Sequence, residues 1–254
     1  MNILLSFRSE LLKSKGTSLW YLLILLSLFI PFLGYVDYFH EANNAKPQGN
    51  PWGPYLAERF QLLNIVILPL FTILICTLFG QIEYRNNTWK QVLASPQKKY
   101  AIFFSKYAMV LLMIFLFVIL HNIWLFVVTT LVDSRAANVW FKPHSPDWHT
   151  LMHYNLRTLV CVQGISALQF WLGIRFRNFV TPIGIGFGLW LVAAALTLEL
   201  RLPRADLHPY TYPIYAFFRE YEWRLPVFFA EALMFAALFL FLGFREFDRR
   251  SLKE

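Results

Sequence analysis

Six apolar runs divide the sequence, at about 19–36, 60–79, 107–132, 151–174, 179–198 and 225–244. Each approaches or exceeds the roughly 20 residues that a helix needs to cross a bilayer. Composition agrees. Of 254 residues, 57% are hydrophobic and only 15% charged, against roughly 25% charged in a soluble domain. The reading is an all-α membrane protein with six transmembrane helices, forming a single transmembrane domain over 1–254. At about 1.5 Å per residue the third run is too long for one perpendicular span, and it must tilt or project beyond the lipid.

Charge sets the expected orientation. With the N-terminus inside, the inner segments 1–18, 80–106, 175–178 and 245–254 hold 14 Lys and Arg against 5 Asp and Glu, whereas the outer segments hold 8 against 9, with Arg157 and Glu231 inside runs. That bias places both termini in the cytoplasm. The net charge of +8 is therefore a topology signal, and no basic soluble face for nucleic acid is visible. Arg8, Lys13 and Lys15 precede the first run, but no small-residue cleavage site follows it, so it reads as a retained span rather than a signal peptide. Cys76 and Cys161 both fall inside spans, which argues against a disulfide.

Between the spans the chain is uneven. Ile3, Leu4, Phe7, Leu11 and Leu12 repeat at helical spacing in 1–18, with the basic residues elsewhere. This predicts an amphipathic helix lying in the membrane interface; the alternative is a plain basic flank that directs insertion. The first outer loop, 37–59, contains Pro47, Gly49, Pro51, Gly53 and Pro54 and is expected to be irregular and exposed. The third, 199–224, is punctuated by Pro203, Pro209 and Pro213 and rich in Tyr, Phe and Trp. It is expected to fold back into the outer interface as one or two short helices before the sixth span.

The inner segment 81–106 is crowded with Glu83, Arg85, Lys90, Lys98, Lys99 and Lys106. Ile82, Trp89 and Leu93 fall on one helical stripe. Ser95-Pro96 suits a helix end followed by a new start, with Ser95 as N-cap and Pro96 in the first helical position. A basic loop obeying the positive-inside rule would need neither Trp89 nor the cap. The pattern of Glu83, Thr88-Trp89-Lys90, Leu93, Ser95-Pro96 and Lys106 resembles the cytosolic segment of ABC-2-type transporter permeases, with Val92 where the first Leu of the family's pattern would stand.

That resemblance covers about 26 residues in motif and the whole chain in architecture. It implies a transport subunit without its own ATPase site, and the sequence has no phosphate-binding G-x-x-x-x-G-K-[ST] loop. Two copies of a separate ABC ATPase, which would hold the ATP and Mg, would dock on a coupling helix carrying Glu83, Arg85, Trp89, Lys90, Leu93 and Pro96. Trp89 and Leu93 would fill a groove on the ATPase, with Glu83, Arg85 and Lys90 at its rim. A second permease subunit, identical or not, would complete the exporter in a bacterial cytoplasmic membrane. The small members of the family imply an amphiphilic cargo such as a peptide antibiotic, a drug or a lipid-like molecule, and hence resistance to drugs or antimicrobial peptides. No cofactor is expected on this chain itself.

Other polar or small residues lie at lipid depth. Gly184 and Gly188 are four apart, a spacing that lets helices approach closely, either between subunits or within one. His121, Gln163, Gln169 and Glu231 are candidates for a pathway or a subunit seam; the alternative is hydrogen-bond glue between helices. His149 and His153 are spaced i, i+4, but Thr150 stands where a metalloprotease helix would carry Glu, and no metal site is expected. An integral-membrane metal enzyme using that pair, or a non-catalytic membrane sensor or assembly protein, are the competing readings.

Overall fold

The computed structural model describes residues 3–44, 49–86, 89, 97–200 and 208–249, and among them all regular structure is helical. This is the expected outcome for runs that must satisfy every backbone N–H and C=O inside hydrocarbon. Helix α1 (Ile3–Ser14) ends at Gly16, whose φ of 75° lets the chain turn at once into α2 (Leu19–Asn44). Next come α3 (Trp52–Leu62) and α4 (Leu68–Arg85), joined through a π turn at Leu63–Ile67. Helix α5 (Lys99–Arg135) has 37 residues, about 55 Å of helix, so it outreaches the hydrocarbon core as its run predicts. Helices α6 (Trp148–Cys161), α7 (Gln163–Arg175), α8 (Val180–Ala194), the short α9 (Tyr212–Tyr215), a 3-10 turn at Arg219–Arg224 and α10 (Leu225–Arg249) complete the described chain.

Five helical stretches are long and apolar enough to cross a membrane: Leu19–Asn43, Trp52–Arg85, Lys99–Arg135, Val180–Glu199 and Arg219–Arg249. The run at 151–174 differs from expectation. It breaks at Val162 into α6 and α7, of 14 and 13 residues. No proline causes the break. The Gln163 side chain donates to Leu159 O (2.8 Å) and Ser166 Oγ to Gln163 O (2.9 Å), so side chains compete with the backbone ladder at the joint.

The first outer loop also departs from expectation. Helix α2 continues to Asn44 and α3 begins at Trp52, so much of 37–59 is helical, and Trp52, Tyr55 and Arg59 are buried. The prolines that suggested a loop instead start a helix. Pro51 is the residue before it and Pro54 lies in its first turn, where no N–H is needed. Pro69 is handled differently. It has no N–H to give to Ile65 O one turn back, and the Trp190 indole from α8 donates to that carbonyl at 2.8 Å. The π turn beside it carries Asn64, whose amide bridges Phe60 O and Thr158 Oγ1, each at 2.9 Å. The aromatic segment does form two short helices, with Tyr212 and Tyr215 buried against Phe228 of α10.

Two glycines set the closest helix contact. A Cβ on Gly80 of α4 would sit 2.0 Å from Gly173 O, and one on Gly173 of α7 would sit 2.5 Å from Cys76 O. Backbones this close need glycine on both sides. Neither residue stood out in the sequence. A Cβ on Gly184 or Gly188 would meet no described atom outside its own helix backbone within 4 Å, and Gly186 between them packs on the Gln169 amide.

Candidate functional site

Three elements meet where α1 crosses the charge-rich end of the bundle. Helix α1 offers a buried stripe of Ser6, Glu10 and Ser14, one helical turn apart, while Leu4, Leu5 and Leu12 stay exposed. The helix is thus amphipathic as its sequence predicts, but its apolar stripe divides: Phe7 and Leu11 pack on the core, Leu4, Leu5 and Leu12 face outward beside Arg8, and the polar stripe turns into the protein. From that stripe Glu10 reaches Lys106 Nζ at the foot of α5 (2.7 Å), and Glu83 in the last turn of α4 reaches the same ammonium (2.6 Å). Lys13 of α1 closes the ring, with Nζ 2.9 Å from Glu10 Oε1 and 2.8 Å from Glu83 Oε1.

This quartet has two acids and two lysines and no net charge. Glu83 is 1% exposed, Lys106 2% and Glu10 5%, so each ion depends on its partners: an uncompensated buried charge costs several kcal/mol (about 3–5 when one partner is removed). Lysine brings three donors and no acceptor, which is why one ammonium can hold two carboxylates. Lys13 is less buried. Desolvation pulls its ammonium's pKa down, but Glu10 and Glu83 outweigh that and hold it above the ordinary lysine value.

Other contacts tie the same end together. Ser6 Oγ donates to Gln97 Oε1 at 2.8 Å, fixing α1 to the segment that enters α5. Trp89 lies under Lys106 (5.7 Å from ammonium to ring centroid) and packs on Tyr84 and Phe247. Tyr84 OH donates to Ile174 O at 2.6 Å and Gln81 to Phe176 O at 3.2 Å, so α4 binds carbonyls at the end of α7. Glu246 of α10 accepts from Trp171 and pairs with Arg175, both on α7. Lys99 at the start of α5 donates to Asp248 O. The quartet is therefore the centre of a contact zone shared by α1, α4, α5, α7 and α10.

Of the residues expected to face an ATPase, Glu83 is buried in the quartet and Trp89 packs against its own chain. Arg85 is exposed at the end of α4. Lys90, Leu93 and Pro96 lie outside the described residues. Glu10 and Lys13 were missed as site residues. The sequence signal for them is a Glu-x-x-Lys pair on a short helix that also carries an apolar stripe, but their significance depends on which stripe of α1 meets the bundle.

The intramembrane polar groups make contacts within the chain, while His121 Nε2 and Gln169 Oε1 are buried with no hydrogen-bond partner among the described residues. His121 Nδ1 lies 3.4 Å from Ser27 O, with Phe60 edge-on. Gln163 accepts from Tyr107 OH at 3.2 Å, and Ser166 shares the same phenol at 3.0 Å. Gln169 donates to Tyr210 OH, linking α7 to the aromatic segment. Glu231 is half-buried on α10. On α6, His149 and His153 do share a face, with Nε2 atoms 3.1 Å apart, while the adjacent Asp147 carboxylate caps the helix through His149 N, Thr150 N and Thr150 Oγ1. No group of three or more His, Cys, Asp or Glu positioned to hold a metal occurs among the described residues.

Comparison with known proteins adds one match. The family model described as "ABC-2 family transporter protein" fits residues 6–192, spanning the quartet, the glycine contact and α1 through most of α8. No curated protein matches the chain.

Proposed function

Because the chain belongs to the ABC-2 transporter family, whose members are membrane components working with an ABC ATPase, we propose that it is the permease subunit of an ATP-driven exporter, with the buried quartet as its force-transmitting joint. The observation that carries this reading is the shared ammonium of Lys106. Through it, Glu83 at the end of α4, Lys106 at the foot of α5 and Glu10 of the interfacial helix move as one unit. That unit contacts Trp89, in the stretch of sequence between α4 and α5 where an ATPase would press. Glu83 and Trp89 then act from inside the permease, as the socket behind the docking segment rather than as rim and anchor against the ATPase.

In this reading α6 and α7 together form the fourth of six spans, bent at Val162, and both termini lie in the cytoplasm. The open face at Gly184 and Gly188 supports pairing with a second permease subunit along α8. The cargo is an amphiphile, taken from the membrane of a bacterial cell. ATP and Mg act on the partner ATPase, and energy enters as motion.

The test is affinity purification of the chain in mild detergent from its native membrane, probed for a bound ABC ATPase. Recovery of a complex with vanadate-sensitive ATP hydrolysis supports the reading. A permease that recovers no ATPase and supports no such hydrolysis contradicts it.

A further inference from the structure

A cavity of about 510 Å³ opens beside the quartet, between the turn that joins α1 to α2 and the last turns of α4. Its lining divides by chemistry. Leu78 and Ile82 give an apolar wall; Thr17 and Ser18 offer hydroxyls; Lys13 and Arg85 bring positive charge. Lys13 is already met by Glu10 and Glu83. Arg85 forms no ion pair among the described residues, so its guanidinium is the charge still available. A planar fork of five donors on a mixed polar and apolar cavity suits the oxygens of a phosphate.

The cavity's level in the fold narrows the ligand further. Helix α1 turns Leu4, Leu5 and Leu12 outward, as a helix lying at the membrane interface does, and the cavity opens at its C-terminal end. With α1 at the interface, a site at its C-terminal end would meet lipid headgroups, and its apolar wall would lie alongside the acyl chains. We propose that this cavity binds the phosphate headgroup of an anionic phospholipid of the inner leaflet, with Arg85 as the principal anchor and Lys13, Thr17 and Ser18 as additional donors. The lipid would then sit against the same turn of α4 that carries Glu83, wedged between α1 and α4. The inference requires α1 to lie at the membrane interface; it does not require that an ATPase couples to this chain.

The experiment uses the full chain purified without an ATPase, so its result is independent of the coupling reading. Native mass spectrometry counts retained lipids after exchange into phosphatidylglycerol or into phosphatidylcholine with the same acyl chains. Wild type should retain phosphatidylglycerol in preference. Arg85→Gln should lower that retention about fivefold, Arg85→Lys should keep most of it, and Arg245→Gln, at an exposed arginine of α10, should leave it unchanged. Equal retention by wild type and Arg85→Gln, or an equal loss in Arg245→Gln, would overturn the site. Inorganic phosphate provides the other arm. If it raises the melting temperature of wild type but not of Arg85→Gln, with phosphatidylglycerol retention unaffected, the ligand is a free anion and the lipid assignment fails.

Discussion

Lys106 Nζ lies 2.6 Å from Glu83 Oε1, joining the end of one membrane helix to the foot of the next across 23 residues of chain. The ammonium is nearly sealed from solvent and Glu10 holds its other side at 2.7 Å. A loop that merely satisfied a charge rule would leave these groups in water. Here they are buried together, and their position relative to one another is what an applied force would have to move.

Removing Lys106 should therefore be costly. Lys106→Met leaves Glu10 and Glu83 buried beside a single remaining lysine, and the loss should be about 3–5 kcal/mol. Thermal unfolding in detergent measures it. Glu83→Gln combined with Lys106→Met should cost less than the sum of the single changes, because the two residues share one interaction.

The ring should also open in alkali. The Lys13 ammonium is held above its ordinary value of 10.5 by Glu10 and Glu83. Its ion pairs thus contribute stability that is complete below that pH and is lost as pH rises through the higher folded value. Melting temperature against pH should show a fall beginning above pH 10.5 that is smaller in Lys13→Gln.

Glycines at two places should respond in opposite ways. Gly80→Ala drives a methyl into the Gly173 backbone, with a Cβ 2.0 Å from its oxygen, and should cost more than about 3 kcal/mol, the upper end for overpacking. Gly184→Ala meets no described atom outside its own helix backbone within 4 Å and should change the stability of the isolated subunit by no more than about 0.5 kcal/mol. If α8 pairs subunits, Gly184→Leu should shift the assembly toward monomer in size-exclusion chromatography while the subunit still folds.

Trp190→Phe keeps an aromatic side chain but removes the N–H that reaches Ile65 O, together with part of the indole's bulk. A loss of about 1 kcal/mol is expected, read as a lower melting temperature, and the π turn beside Pro69 should become more open to hydrogen exchange.

The sequence and the structure agree where lipid imposes the rule. Long apolar runs leave the backbone no alternative to helix, so the spans near 19, 60, 107, 179 and 225 were legible from hydrophobicity alone. Glu83 and Lys106 stood out because they fall at the acidic and Lys positions of the ABC-2 pattern between the second and third spans. Glu10 and Lys13 did not, since residues on a short interfacial helix acquire meaning only when the bundle selects a stripe of it. The break at Val162 was hidden for a similar reason: Gln163 and Ser166 hydrogen-bond to backbone carbonyls, and nothing in their spacing says that they will. Pro51 and Pro54 misled in the other direction, because a proline in the first turn of a helix and a proline in a loop look the same in one dimension.

The central claim is that the quartet carries motion from the ATPase side into the spans, with α1 as part of the joint. Glu10→Gln with Lys13→Gln removes the α1 charges in balance and leaves the Glu83–Lys106 pair intact. Spin labels on Ser134→Cys and Leu198→Cys, at exposed positions of α5 and near the end of α8, report the separation of these helices by pulsed electron resonance in the reconstituted complex. With wild-type α1, trapping by ATP and vanadate should shift the distance distribution. In the double variant the shift should be lost while ATP hydrolysis continues. A full shift in the double variant would contradict the claim.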